Sequence, residues 1–233
     1  MHSLDEIHAA LKQLTVDQRI TLGLRLRELD GIPSLGNQVR EDQPAHASSD
    51  PSFMTLEEYF ELEEKTPLRH EFINGAVFAM AAPSLNHNRI ASNLLLAIHP
   101  HVKRDGCQVF WSGLKVVIRQ DLNEISYCPD VMVDCRPDTR GTHYLREPKL
   151  IAEVMSPSTQ LIDRREKLQN YRLIESLEEY VLLAENERHV IVYSRAEDWK
   201  PRVYSRLDAA VDLRSIDMQL PMIELYDDVE RPD

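Results

Sequence analysis

The sequence predicts an α/β (α+β) fold in which a mixed central β-sheet is flanked by helices. Short apolar runs of strand length recur through the middle of the chain, at residues 131–133 and 150–154 among others. Segments with helical spacing, residues 85–104 and 160–175, alternate with these runs. Helices that alternate with short apolar strands cover the faces of a sheet, and this order indicates a mixed one.

The first fifty residues differ from the rest. Residues 1–30 have apolar residues at helical spacing, and we predict a helical hairpin extension there. Gly31 and Pro33 end it. Residues 31–52 are rich in Gly, Pro, Ser, Asn and Asp, which is typical of a linker. The main domain is therefore predicted at residues 53–233. The leucine-rich extension makes a homodimer, paired through these helices, a reasonable expectation.

The main domain begins with a helix and a hairpin. Thr55 is a suitable N-cap for a short acidic helix that ends near Glu64. Residues 69–80 form a predicted hairpin, because Asn74-Gly75 supplies the positive φ angles of a tight two-residue turn. The remaining predicted elements are a long buried helix (85–104), a strand kinked near Gly113 (108–118), central strands (131–133, 150–154), an amphipathic helix (160–175) and further strands (180–183, 190–193, 202–204).

Composition indicates a soluble globular protein. Of the 233 residues, 42% are hydrophobic and 28% are charged. The longest apolar stretch, residues 76–82, is too short to span a membrane, and the N-terminus lacks a signal-peptide pattern. The three cysteines have no C-x-x-C spacing, and we expect reduced, semi-buried thiols in a cytoplasmic protein.

The net charge of −12 is unfavourable for a nucleic-acid-binding protein, but it is unevenly distributed. Residues 1–65 hold 13 acids against 6 Lys/Arg, and residues 205–233 hold 8 against 3. The middle therefore carries 39 − 21 = 18 acids and 27 − 9 = 18 bases and is neutral. This distribution argues against tight non-specific binding of duplex DNA, which needs a basic surface, and leaves local recognition possible.

Several acids lie at the edges of the predicted strands. Asp130 follows a proline at the start of one strand, Glu153 lies within the next, and Glu71 is on the first hairpin. A carboxylate buried in such a position costs several kcal/mol, of order 1–5, unless something compensates it. A divalent metal is the usual compensation for clustered carboxylates.

The helix after Glu153 adds a basic group. Asp163, Lys167 and Tyr171 are spaced four apart and are predicted to share one face. Carboxylates, a metal ion and a lysine together indicate metal-assisted hydrolysis of a phosphodiester.

The order of these residues resembles a known family. Glu153-Val154-Met155-Ser156-Pro157-Ser158-Thr159, then 163–168 and Tyr171, is similar to the Uma-type restriction endonucleases, a branch of the PD-(D/E)XK nuclease superfamily. Agreeing blocks stand at 70–75, His87, 129–131 and 179–183. The resemblance covers residues 53–225 and implies a restriction-endonuclease-like fold. Met155 occupies the position of the superfamily's lysine, which in this branch comes from the following helix, here Lys167.

The resemblance and the chemistry together imply a site. Asp130, Glu153 and the backbone carbonyl of Val154 would bind Mg²⁺ (or Mn²⁺), and Glu71 would complete the site or lie just outside the ligand shell. Lys167 would orient the attacking water or stabilise the pentacoordinate phosphorus. Supporting roles fall to Tyr171, Asp163 and His87, and DNA phosphate contacts to Arg164 and Arg165. The implied activity is metal-dependent endonuclease cleavage of DNA.

Other interpretations remain open at this point. Asp130 could be a strand-edge surface acid, Lys167 a solvated charge, and Glu71 the ion-pair partner of Arg69. At the level of the protein, Met155 and the acidic flanks are compatible with a catalytically silent DNA-binding or protein-interaction module that keeps the fold. A metal hydrolase of a small phosphoester would account for the lack of a basic surface.

Overall fold

A computed structural model of the chain describes residues 54–111, 113–120, 123–156 and 163–230. The predicted helical extension (1–30) and linker (31–52) lie outside these residues and stay predictions. From Thr55 onward the chain forms one unit by its internal contacts. This unit consists of sheets with helices against them, and the predicted mixed α+β class is confirmed.

The helices begin where the sequence supplies caps. Helix α1 (Leu56–Lys65) starts with a capping box, in which the Thr55 hydroxyl accepts from the Glu58 amide and Glu58 accepts from the Thr55 amide. Helix α2 (Leu85–Val102) starts at Ser84, whose hydroxyl accepts from the His87 amide. Two one-turn helices follow, α3 (Leu168–Tyr171) and α4 (Met222–Leu225).

The strands are short and numerous. In chain order they are β1 (His70–Ile73), β2 (Ala76–Ala79), β3 (Gln108–Trp111), β4 (Lys115–Gln120), β5 (Asn123–Tyr127), β6 (Val131–Asp134), β7 (Tyr144–Leu145), β8 (Leu150–Met155), β9 (Glu179–Ala184), β10 (Val190–Ser194), β11 (Pro201–Tyr204), β12 (Ala210–Leu213) and β13 (Met218–Pro221). The predicted β1–β2 hairpin is confirmed, with φ of 50° at Asn74 and 93° at Gly75.

Two main sheets result. The first has the order β2-β1-β5-β4-β7 and the second has the order β11-β10-β9-β8-β6-β3, while β12 and β13 form a separate ribbon. In the six-stranded sheet β8 and β9 run parallel and the other neighbours run antiparallel, so the sheet is mixed. The parallel pair requires a crossover, which the chain makes through the segment that carries α3.

The six-stranded sheet is covered on both faces. On one face Ile90, Leu94 and Ile98 of α2 pack with Val131 and Ala152. On the other face a row of aromatic residues (Tyr127, Tyr171, Tyr180, Tyr193) packs with alternate residues of the same strands. Strands buried on both faces are near-continuously apolar, which is why residues 131–133 and 150–154 show no polar alternation.

The helix predicted at residues 160–175 ends four residues earlier than expected, at Tyr171. Its described part is a π-helical turn (Asp163–Lys167) that continues into α3 and ends at Tyr171. Just after this end, the guanidinium of Arg195 donates hydrogen bonds to three backbone carbonyl oxygens, those of Arg172, Ile174 and Leu177. In a continuing helix these carbonyls would instead accept from backbone amides. This capping arginine is distant in sequence, so the helical pattern did not reveal it.

The expectation of three reduced cysteines is wrong. Cys107 and Cys135 form a disulfide, and Cys128 is the buried thiol that remains. The β3–β6 ladder pairs Gln108 with Asp134, which brings the two flanking cysteines face to face across a separation of 28 residues. Strand register, which spacing in the sequence does not show, makes this bond possible. No helix among the described residues is both long and apolar enough to cross a bilayer.

Tyr59 of α1 anchors the first sheet. Its ring is fully buried against Phe72, and its hydroxyl donates to the carbonyl of His70 at 2.5 Å. Burial raises the pKa of Tyr59 far above its usual value. Because the folded pKa exceeds the unfolded one, this group stabilises the fold below about pH 10 and loses that contribution as the pH rises further.

We expect Tyr59→Phe to cost about 1–2 kcal/mol of unfolding free energy at neutral pH, since the buried His70 carbonyl loses its donor. Above about pH 10 the wild type should lose about 1.4 kcal/mol more per pH unit than the variant, so the gap between them should close. Urea denaturation across this pH range measures both effects. A gap that stays constant with pH would contradict the assignment.

Candidate active site

The candidate site lies where the chain bends from the five-stranded into the six-stranded sheet. The β3–β6 ladder ends at the pair Trp111–Val131, and the β4–β5 ladder resumes at Val116–Tyr127. The register between the two chain segments therefore shifts by one residue at the bend, as in a β-bulge. Gly113 lies there with a positive φ of 104°, a conformation that glycine adopts without strain.

The bulge places the predicted carboxylates around one junction. Asp130 directly precedes β6, and continuing the Val131–Ala152 pairing by one residue sets it opposite Glu153 of β8. Glu71 lies on β1, which pairs with β5 just before the bend. Three strands therefore bring acids from distant parts of the chain to the same place.

The ammonium group of Lys167 lies between two of these acids. Its Nζ is 3.1 Å from Glu153 Oε1 and 2.9 Å from Glu71 Oε1. The side chains of Lys167 and Glu153 are each only 7% exposed. The buried Glu153 carboxylate and the half-buried Glu71 carboxylate thus share one cation, which compensates the charge that burial would otherwise disfavour.

Tyr171 completes this cluster. Its hydroxyl donates to Glu153 Oε1 at 2.7 Å, so Lys167 and Tyr171 do share the helix face that their spacing predicts. Burial, followed by the nearby charge of Glu153, raises the pKa of Tyr171 well above its usual value. The phenol therefore stays protonated and acts as a hydrogen-bond donor to a carboxylate.

The sequence argument missed two residues of the cluster. The Lys167 ammonium lies 5.3 Å from the centre of the Tyr127 ring, a cation–π contact. The Tyr127 hydroxyl in turn accepts from the side-chain amide of Asn170 at 2.6 Å. In the sequence, Tyr127 is marked only by its position three residues before Asp130. Its contact with Lys167 could be predicted only from the knowledge that β5 leads into the bend.

Asp130 has its own set of partners. Its Oδ1 lies 2.8 Å from His87 Nε2, at the start of α2, and its Oδ2 accepts from the backbone amide of Val154 at 2.7 Å. In a strand, the amide and carbonyl of one residue point to the same side. The Val154 carbonyl, predicted as a metal ligand, therefore points to the edge of β8 at which Asp130 lies.

The other predicted residues are placed as follows. Arg165 is exposed. Arg164 is half-buried, and among the described residues its Nε has no hydrogen-bond partner. Burial raises the pKa of Tyr193, and the charge of Arg164 acts against that rise. The side chain of Asp163 lies outside the described part of the chain.

The donor types at the junction, carboxylate and carbonyl oxygens, are those that a hard divalent cation prefers. Glu71 Oε1 is buried, and the Lys167 ammonium lies 2.9 Å from it without the alignment of a hydrogen bond. Each oxygen of Asp130 makes one contact, Oδ1 with His87 and Oδ2 with the Val154 amide. Each oxygen also has a second lone pair, which is available to a metal ion. Within the described ranges no three His, Cys, Asp or Glu side chains converge on one point. Mg²⁺ typically binds one or two carboxylates, keeps several waters and uses substrate oxygens.

Three comparisons relate the chain to known proteins. It is 32% identical over 187 residues to "Uncharacterized protein slr1290" of Synechocystis, a match covering 78% of this chain and 96% of that protein. A second Synechocystis protein, "Uncharacterized protein sll1609", is 31% identical over 148 residues, 62% of this chain and 82% of that one.

The fold has a counterpart among solved structures. A crystal structure titled as that of a "putative nuclease" from Anabaena variabilis superposes with a TM-score of 0.60 at 21% identity and covers 74% of this chain and 97% of that one. The family model Uma2, described as "Putative restriction endonuclease", matches residues 56–223, which is most of the chain. The protein therefore belongs to the Uma2 family of restriction-endonuclease-like proteins.

Proposed function

We propose that this protein is a Mg²⁺-dependent endonuclease that hydrolyses phosphodiester bonds of DNA. One observation carries the proposal: a single buried lysine is held by Glu71 and Glu153 at the bend where Asp130 also lies. A lysine beside carboxylates that can hold a metal is suited to attack of water on a phosphodiester. Membership of a family described as restriction endonucleases supports the same reaction.

The metal would be held by oxygen atoms from both sides of the β6–β8 junction. Asp130, Glu153 and the Val154 carbonyl are the proposed ligands, with Glu71 completing the shell or holding a bound water. Mg²⁺ (or Mn²⁺) bound there would supply an acidified water and charge compensation at the phosphoryl oxygens.

The protein's own groups position the reaction. The Lys167 ammonium, fixed by two carboxylates, would donate hydrogen bonds to the attacking water or to a phosphoryl oxygen. The Tyr171 hydroxyl holds Glu153 by donating to the same oxygen that faces Lys167, so the other oxygen is directed elsewhere. His87 and the Val154 amide fix both oxygens of Asp130, which orients that carboxylate in advance.

Two further functions would use the same fold. In a catalytically silent DNA-binding or interaction module, Lys167 would serve only to compensate the charge of the carboxylates. Calorimetry with Mg²⁺ or Mn²⁺ distinguishes such a module from the nuclease, because the module should show no carboxylate-dependent ion binding. A hydrolase of small phosphoesters would cleave a chromogenic diester and leave plasmid DNA intact. For DNA itself, Arg165 and Arg164 remain the proposed helix contacts, and a dimer through residues 1–30 remains a proposal.

Asp130→Asn and Glu153→Gln should each lower Mg²⁺-dependent nicking of supercoiled plasmid by at least about 100-fold. Both variants keep the side-chain volume and remove only a negative charge. Asp208→Asn is the matched control, since this exposed acid pairs with Arg206 on a distant turn and should leave nicking unchanged. Activity that survives in both site variants would refute the ligand assignment.

Lys167→Met should lower the unfolding free energy by about 3–5 kcal/mol, because it leaves the buried Glu153 and the half-buried Glu71 carboxylates without their cation. Adding Glu71→Gln should restore part of this loss, since one uncompensated charge is removed. Urea denaturation of the wild type, both single variants and the double variant gives the coupling between the two residues. Additive losses would show that the ion pair does not stabilise this junction.

A further inference from the structure

A cleft lies beside the bend. It encloses about 260 Å³ and is lined by the end of α1, by the segment that leads into β1, and by Gly113. Its apolar wall includes Phe60 and Leu68, and Leu68 is 60% exposed. None of the residues assigned above to metal or catalysis lines it.

The cleft adjoins the candidate active site. Arg69, which lines the cleft, stands two residues before Glu71 in the chain, and Gly113, which also lines it, lies between β3 and β4 at the bend.

The charged side chains of the cleft differ in their exposure to solvent. Glu63 points into the fold, where its two oxygens lie 2.6 Å from Lys115 Nζ and 2.7 Å from His70 Nδ1. Lys115 lines the cleft but is itself buried, and Glu63 compensates its charge. At the rim Glu64 lies 3.8 Å from His143, and both side chains are largely exposed.

Arg69 is the exposed arginine of this cleft. Its guanidinium lies over Gly113, such that a Cβ at that position would be 3.5 Å from Arg69 Cζ. Because Gly113 has no side chain, the planar guanidinium of Arg69 lies against the backbone at the bend. A guanidinium presents paired N–H donors that match phosphate oxygens.

From this arrangement we infer that the cleft is a subsite for the sugar–phosphate backbone of a polynucleotide, in which Arg69 binds a phosphodiester next to the scissile one. This inference rests on the proposed function and narrows its substrate to a nucleic-acid strand that extends over both the candidate active site and this cleft. The apolar side chains of Phe60 and Leu68 provide a surface for the sugar. A small phosphoester occupies only the metal side and gains nothing from this cleft.

The test is binding of a fluorescently labelled DNA duplex in EDTA, measured by anisotropy over a range of salt concentrations. Arg69→Gln should weaken binding by about five- to tenfold and lower the salt slope by about one, because one phosphate contact is lost. Arg69→Lys should bind with intermediate affinity, since it keeps the charge and loses the paired donors. Arg206→Gln is the charge-matched control, an exposed arginine beyond β11 at the far edge of the sheet.

The outcomes separate this inference from the proposed reaction. Arg69→Gln binding equal to that of the wild type, or an equal loss in Arg206→Gln, would overturn the subsite, and so would a wild type that fails to bind DNA. A wild type that binds through Arg69 and does not nick plasmid with Mg²⁺ would keep the subsite and reject the hydrolysis.

Discussion

The buried ammonium group of Lys167 is the contact on which this structure depends. It lies within 3.1 Å of carboxylates from two different strands, and neither acid could be held at low exposure without it. The surrounding groups serve the same contact: the Tyr127 ring lies against the cation, and the Tyr171 hydroxyl shares the Glu153 oxygen. A cluster that keeps ionised groups buried and oriented is costly as a purely structural feature, which makes it a suitable centre for chemistry.

The bend between the sheets decides where this contact forms. A one-residue shift of register between the two ladders lets each long strand change sheets. As a consequence, Asp130 leaves the regular ladder and takes its partners from the start of α2 and from the amide of Val154. The same irregularity of the backbone places Gly113 beneath Arg69.

For an acidic protein, the proposed action on a polyanion requires that cations be concentrated locally. The chain carries a net charge of −12, yet the described site region holds Lys167, Lys115 and Arg69 around one junction. Lys167 and Lys115 are neutralised by neighbouring glutamates, which limits their reach to groups in direct contact. Such a surface binds a phosphate group that directly contacts these cations better than it attracts duplex DNA non-specifically. Salt screens the long-range attraction more than the direct contact and so increases this preference.

Local features were determined by the sequence alone: the Thr55 capping box, the Asn74-Gly75 hairpin, the long helix after Ser84, and the ordered series of acids and Lys167 that resembles the family. Each depends on residues a few positions apart or on chemistry that keeps its meaning out of context. Only the tertiary structure decided the Cys107–Cys135 bond, the end of α3 at Tyr171, the role of Tyr127 and the position of Arg69. These all follow from strand register and from contacts between residues distant in the chain, and a one-residue bulge that changes such register leaves no periodic pattern in the sequence.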